Sequence, residues 1–229
     1  MLLGLMSTDV TFFRVLFSRE LWGLVANKEI YTSLIRCLRV LGEFVHLDLW
    51  GPYRVPSKEG YRFFLTIVDD YSRSVWVYLL KSKDEVFDNI VVFHSLLFTQ
   101  FGKHVKTFRS DNGIEFVNNK LCEFFKSKGI FHQTSCVYTP QQNGVVKRKH
   151  RHLLNVVRAL MFQGNVPLNI WSECIITATY LINRTPCSVL NGKCPYELVF
   201  AFAPVLSHLR NLGCLCFAVK PNISDKFSS

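Results

Sequence analysis

The sequence predicts an α/β domain on a five-stranded mixed sheet, three antiparallel strands followed by parallel additions, with helices flanking it. Apolar, β-branched and aromatic runs over 43–50, 61–68 and 74–80 read as strands, and Asp69 to Ser72 joins the last two as a hairpin. Helical and strand-like periods then alternate, and a strand returning to the same sheet through a helix pairs in parallel. A length of 229 residues with 49% apolar content suits one such domain with appendages.

Taken in order, the first strand ends at Gly51 and Pro52, which break extended pairing. Ser57 to Gly60 forms a turn into the second strand. From Asp84 to Gln100, Val86, Ile90, Phe93, Leu97 and Phe101 recur at helical spacing. Val105 to Ser110 reads as the fourth strand. Ile114 to Lys128 reads as a second helix with Phe116, Leu121, Phe124 and Phe125 inward, closed by Gly129. Ile130 to Ser135 supplies the fifth strand. A polar loop from Tyr138 to Gly144 leads to a third helix, for which Asn143 is the expected N-cap. On that helix Val146, His150, Leu153, Val157 and Leu160 form an apolar face, flanked by Lys147, Arg151, Asn155 and Arg158. Pro167 starts a further helix, stopped by Pro186. These signals divide the chain into an unassigned segment at 1–42, a core at 43–165, and a helical extension with a truncated tail at 166–229.

Lys and Arg number 27 against 17 Asp and Glu, a net charge of +10 that points towards a polyanion such as nucleic acid, with an ordinary basic protein as the alternative reading of charge alone. The eight cysteines form no C-x-x-C pair and no zinc pattern with the seven histidines. Cys214 and Cys216 alternate along an apolar run, as small strand residues in a reducing, intracellular setting would. No apolar run reaches the roughly 18–20 residues of a membrane span. The apolar opening of the chain lacks the basic start of a signal peptide.

The chemistry concentrates at three positions. Asp48 and Asp111 sit at the ends of the first and fourth strands, where two carboxylates brought together can hold a divalent ion. A third carboxylate from the following helix would complete the site, but Lys147 stands there. An ammonium has three donors and no lone pair, so it cannot ligate a cation. Drawn towards Asp48 or Asp111, its head would take the place of an ion. Glu115 lies near Asp111 but reads as a helix-start residue, and Asp69 and Asp70 as turn formers. His150 and His152, two apart on a helix, do not converge on a metal. The block Lys147, Arg148, Lys149 and Arg151, with Arg158 a few turns on, reads as a phosphate-contacting surface, and Asn143 lies beside it.

Six segments carry a resemblance: 46–52 (HLDLWGP), 67–73 (IVDDYSR), 109–116 (RSDNGIEF), 138–146 (YTPQQNGVV), 179–186 (TYLINRTP) and 195–198 (PYEL). In this order, over roughly residues 43–217, they resemble the integrase catalytic core of copia-type LTR retrotransposon polyproteins, of the retroviral integrase superfamily. The resemblance implies an RNase H-like fold and metal-dependent polynucleotidyl transfer with Mg²⁺ or Mn²⁺. It implies DNA partners (element ends and target DNA), self-association and a nuclear location. By position Asp48 and Asp111 match the two metal-binding aspartates, and Lys147 stands where the family has glutamate. Asn143 and Gly144 match a loop beside the active site. Residues 1–40 lack the zinc ligands of full-length relatives, as in a degenerate or partial copy. The expectation is therefore a catalytically impaired integrase core that retains nucleic-acid binding; the alternative is a non-catalytic DNA-binding remnant.

Overall fold

A computed structural model of the chain describes residues 40–135, 140–211 and 214, all but Val40 within the compact unit Leu41–Ser229. The segment before it, and Cys216, lie outside the described residues. One mixed sheet organises the unit, with strands β1 (Phe44–Trp50), β2 (Phe63–Asp69), β3 (Val75–Leu80), β4 (Thr107–Ser110) and β5 (Phe131–Thr134). Their spatial order is β3-β2-β1-β4-β5. The first three pair antiparallel, and β4 and β5 add in parallel, as the element order predicts.

Because side chains alternate across a strand, the continuous apolar run of β2 serves two cores at once. Leu65 and Ile67 turn to one face with Val45, Leu47 and Phe108. There they meet helix α1 (Val86–Phe101) through Val86, Ile90, Phe93 and Leu97, and helix α2 (Asn119–Lys128) through Leu121 and Phe125. Phe64 and Val68 turn to the other face. They pack on helix α3 (Gly144–Gln163) through Val146, Leu153 and Val157, and on helix α4 (Trp171–Arg184) through Trp171, Ile175, Ala178 and Ile182. Each such side chain, fully buried, contributes about 1.5–3 kcal/mol. The helix assigned from sequence to an appendage beyond 166 is thus built into the second core. A short helix α5 (Pro195–Phe200) follows it.

Three expectations change at the level of elements. The second helix starts at Asn119, not Ile114, because Asn118 caps it: its Oδ1 accepts from the Leu121 N–H at 3.0 Å. Glu115 therefore lies in the preceding turn rather than at a helix start. Asn143 does not cap α3, since its side chain makes no capping bond there. Cys214 belongs to no strand and is exposed. The hairpin acids do hold their turn: Asp69 accepts from the N–H groups of Gly42 (2.8 Å) and Ser72 (2.7 Å), and Asp70 pairs with His46 at 2.9 Å.

Candidate functional site

Strand register brings the two aspartates together. β1 and β4 run parallel with Val45 opposite Phe108 and His46 opposite Arg109. Continued two residues further, the same register sets Asp48 level with Asp111 on neighbouring strands. Burial first, then the Asp48 and Glu115 charges, raise the Asp111 carboxyl above its usual range. A hydrogen bond from the Gly113 N–H and the charge of Lys147 offset this only in part.

Parity along β1 decides what Asp48 meets. His46, Asp48 and Trp50 face the side of the sheet that α3 covers. Asp48 Oδ2 is held by Nδ1 of His150, one of the buried residues of α3, at 3.1 Å. Lys147 forms no ion pair with Asp48 or Asp111 among the described residues, although it acts on Asp111 through space. The expected seizure of a carboxylate by the ammonium is replaced by a histidine contact. Sequence reading placed His150 on the apolar face and missed this bond. The signal was present: His150 follows Lys147 by three residues, on the flank that faces an inward-pointing strand aspartate.

The basic block does not act as a unit. At about 100° per residue, Lys147, Arg151 and Arg158 fall on one narrow stripe, and Lys149 lies about 200° from Lys147. Lys149 is instead packed beside Arg73 and Cys187, where burial pulls its pKa down. It is turned away from the stripe, which corrects its inclusion in a single contact surface. Arg148 is exposed on the flank and folds back over Gly144. Lys147, Arg151 and Arg158 line a cavity of about 320 Å³ together with Asp48, His150 and Trp50. Arg158 donates to Asn155 Oδ1 at 3.2 Å, and none of the three basic groups has a carboxylate partner among the described residues.

Asn143, expected beside DNA, is fully buried and donates from Nδ2 to the carbonyl oxygen of Leu47 at 3.0 Å. It fastens the start of α3 to β1, one residue from Asp48, so its part is positional. Arg109 assists from β4, donating to the Gln142 carbonyl at 3.1 Å and to Gln133 Oε1 at 2.6 Å. Its guanidinium lies 4.6 Å over the Phe44 ring, and burial lowers its pKa to about 10.

The set does not fit a divalent ion. Hard cations need several oxygen ligands, and Lys147, whose charge reaches Asp111, offers a cation and no lone pair. Glu115, the nearest further acid, is directed to Lys83 at 3.5 Å. Among the described residues no three acids, histidines or cysteines group as a metal site.

Residues 39–140 match the family described as integrase core domain. The chain is 37% identical over 201 residues to a retrovirus-related Pol polyprotein from transposon TNT 1-94 of Nicotiana tabacum, covering 88% of this chain and 15% of that protein. It is also 37% identical to the Pol polyprotein from transposon RE1 of Arabidopsis thaliana, over 81% of this chain and 12% of the relative. The chain thus spans a small part of the length of these relatives. Among solved structures, the fold resembles a chain of the simian T-cell lymphotropic virus intasome in complex with a PP2A B56 gamma subunit, with TM-score 0.56 and 20% identity, over 80% of this chain and 60% of that one. It also resembles the HTLV-2 integrase catalytic core in complex with magnesium, with TM-score 0.52 and 22% identity, over 69% of this chain and 96% of that one. With the sheet order, the matched segment and these relatives in agreement, the chain belongs to the integrase core family of the retrotransposon and retroviral type.

Proposed function

We propose that this integrase core binds DNA through the exposed stripe of α3 and does not perform metal-dependent strand transfer. One observation carries the reading: three basic side chains, without acidic partners among the described residues, line a cavity that they share with Asp48. Phosphate contacts need Lys and Arg in solvent reach, and Lys147, Arg151 and Arg158 supply them. Two-metal phosphoryl chemistry needs oxygen ligands on both ions, and Lys147 removes an anion and adds a cation where one is required. The partners under this reading are DNA ends and target DNA. Self-association is part of it, since the HTLV-2 core was solved in trimeric and dimeric forms. A nuclear location follows from the substrate.

The test compares the parent chain with Lys147→Glu. A labelled duplex should bind the parent, and incubation with Mn²⁺ should give no joined product. Lys147→Glu should gain divalent-ion binding by calorimetry. Strand-transfer products from the parent, or equal ion binding by both forms, would overturn the proposal.

A further inference from the structure

The cavity beside Asp48 has the wrong sign for a divalent cation and the right one for its counterpart. We infer that it takes the phosphate monoester of a nucleotide without any divalent ion, the lysine ammonium serving as a covalently held cation. This rests on the DNA-binding reading of the same face and goes further by naming the group bound.

Charge comes first. Lys147, Arg151 and Arg158 line the cavity, and the acid that shares it, Asp48, is engaged by His150. Among the groups that line the cavity, three positive and one negative leave a surplus near two; Asp111, which the Lys147 charge reaches, lies outside the lining. A phosphate monoester carries about −1.5 to −2 at neutral pH, whereas a diester carries a single charge, so an end or a free nucleotide matches better than the middle of a strand. Lys147 lies in the first turn of a 20-residue helix, whose N-terminal N–H groups and dipole favour an anion.

Shape and the remaining wall come second. At about 320 Å³ the cavity sits at the small end of ligand pockets, about 300–1,000 Å³. Leu49, Trp50 and Leu154 add apolar surface to the lining, which suits a base or sugar rather than a bare inorganic anion. His150 forms part of the wall, its ring 4.8 Å from that of Phe64. It is 6% exposed, and with Nδ1 on Asp48 its Nε2 is buried without a hydrogen-bond partner.

The experiment is calorimetric titration of the whole chain with deoxyadenosine 5′-monophosphate in excess EDTA. Deoxyadenosine, inorganic phosphate and a dinucleotide without a terminal phosphate are run beside it. The monophosphate should bind in EDTA as tightly as in Mg²⁺, and each comparison ligand about tenfold or more weaker. Lys147→Glu and Arg151→Ala should each weaken it about tenfold, while Lys149→Ala, whose side chain lies away from the cavity, should bind as the parent does. Lack of binding in EDTA, a requirement for Mg²⁺, undiminished affinity in Lys147→Glu, or phosphate binding as well as the nucleotide would each overturn the inference. Salt-dependent duplex binding in the same buffers separates the two claims. Duplex bound without the monophosphate sinks this pocket and leaves the DNA reading standing, and the reverse result does the opposite.

Discussion

Charge neutralisation of DNA offers a quantitative check on which basic residues face the ligand. Each phosphate neutralised contributes about −0.9 to the slope of log affinity against log salt. The three stripe residues Lys147, Arg151 and Arg158 therefore give a slope near −2.7, a loss of about 40-fold between 50 and 200 mM salt. Arg151→Ala removes one contact, so its slope falls to about −1.8 and the same salt step costs about 12-fold. Lys149→Ala should leave the parent slope intact, because that side chain is packed beside Arg73 and Cys187 on the opposite side of α3. Fluorescence anisotropy of a labelled duplex, titrated at several salt concentrations, reads all three slopes. If Lys149→Ala and Arg151→Ala lose the same increment, the basic block acts as an undirected charge and the stripe has no meaning.

Asn143→Ala should destabilise the domain by about 1–3 kcal/mol, the cost of leaving a buried partner unsatisfied, read from urea unfolding. Asn143→Asp should cost at least as much, since it aims an acceptor at the Leu47 carbonyl oxygen. Stability should also fall under mild acid, through His94 in particular. Burial, then His104 and Lys128, hold its pKa below the ordinary 6.5. The unfolded chain then takes up the proton first, so this stability is complete above about pH 6.5 and is lost as pH falls towards the folded value. Thermal melts from pH 7.5 to 5 should show the decline, and His94→Gln should flatten it; an unchanged slope in that variant would refute the assignment.

The fold was legible because its signals are local. Paired hairpin strands, the apolar stripes of α1 and α3 and the glycine stop at Gly129 each follow from short-range chemistry. The start of α2 was misjudged because Ile114 and Phe116 continue an apolar spacing, while the cap at Asn118 decides where helical hydrogen bonding begins. Asp111 follows the end of β4 as expected, whereas Asp48 lies within β1, two residues before its end. What periodicity alone could not supply was the pairing across elements: His150 against Asp48, Asn143 against Leu47, and Lys149 turned towards Arg73. Each depends on how α3 is rotated over the sheet, which the burial of Val146, Leu153 and Val157 fixes as a whole.

That rotation also explains how a lysine is accommodated where an acid once fitted the chemistry. Asp48 and Asp111 are like charges on adjacent strands, and burial already raises the Asp111 carboxyl. In a metal-dependent relative an ion would neutralise such a pair. Here the offset comes from the chain itself, as His150 donates to Asp48 and the Lys147 charge lowers the Asp111 pKa from nearby. His150 makes its contact from within the buried face of α3, its ring 4.8 Å from that of Phe64, beside Val146, Leu153 and Val157. Under the proposed function, Lys147 offsets the charge of the pair and supplies no ligand for an ion. On the proposed reading, such a pocket keeps its fold while exchanging the sign of the ligand it can hold.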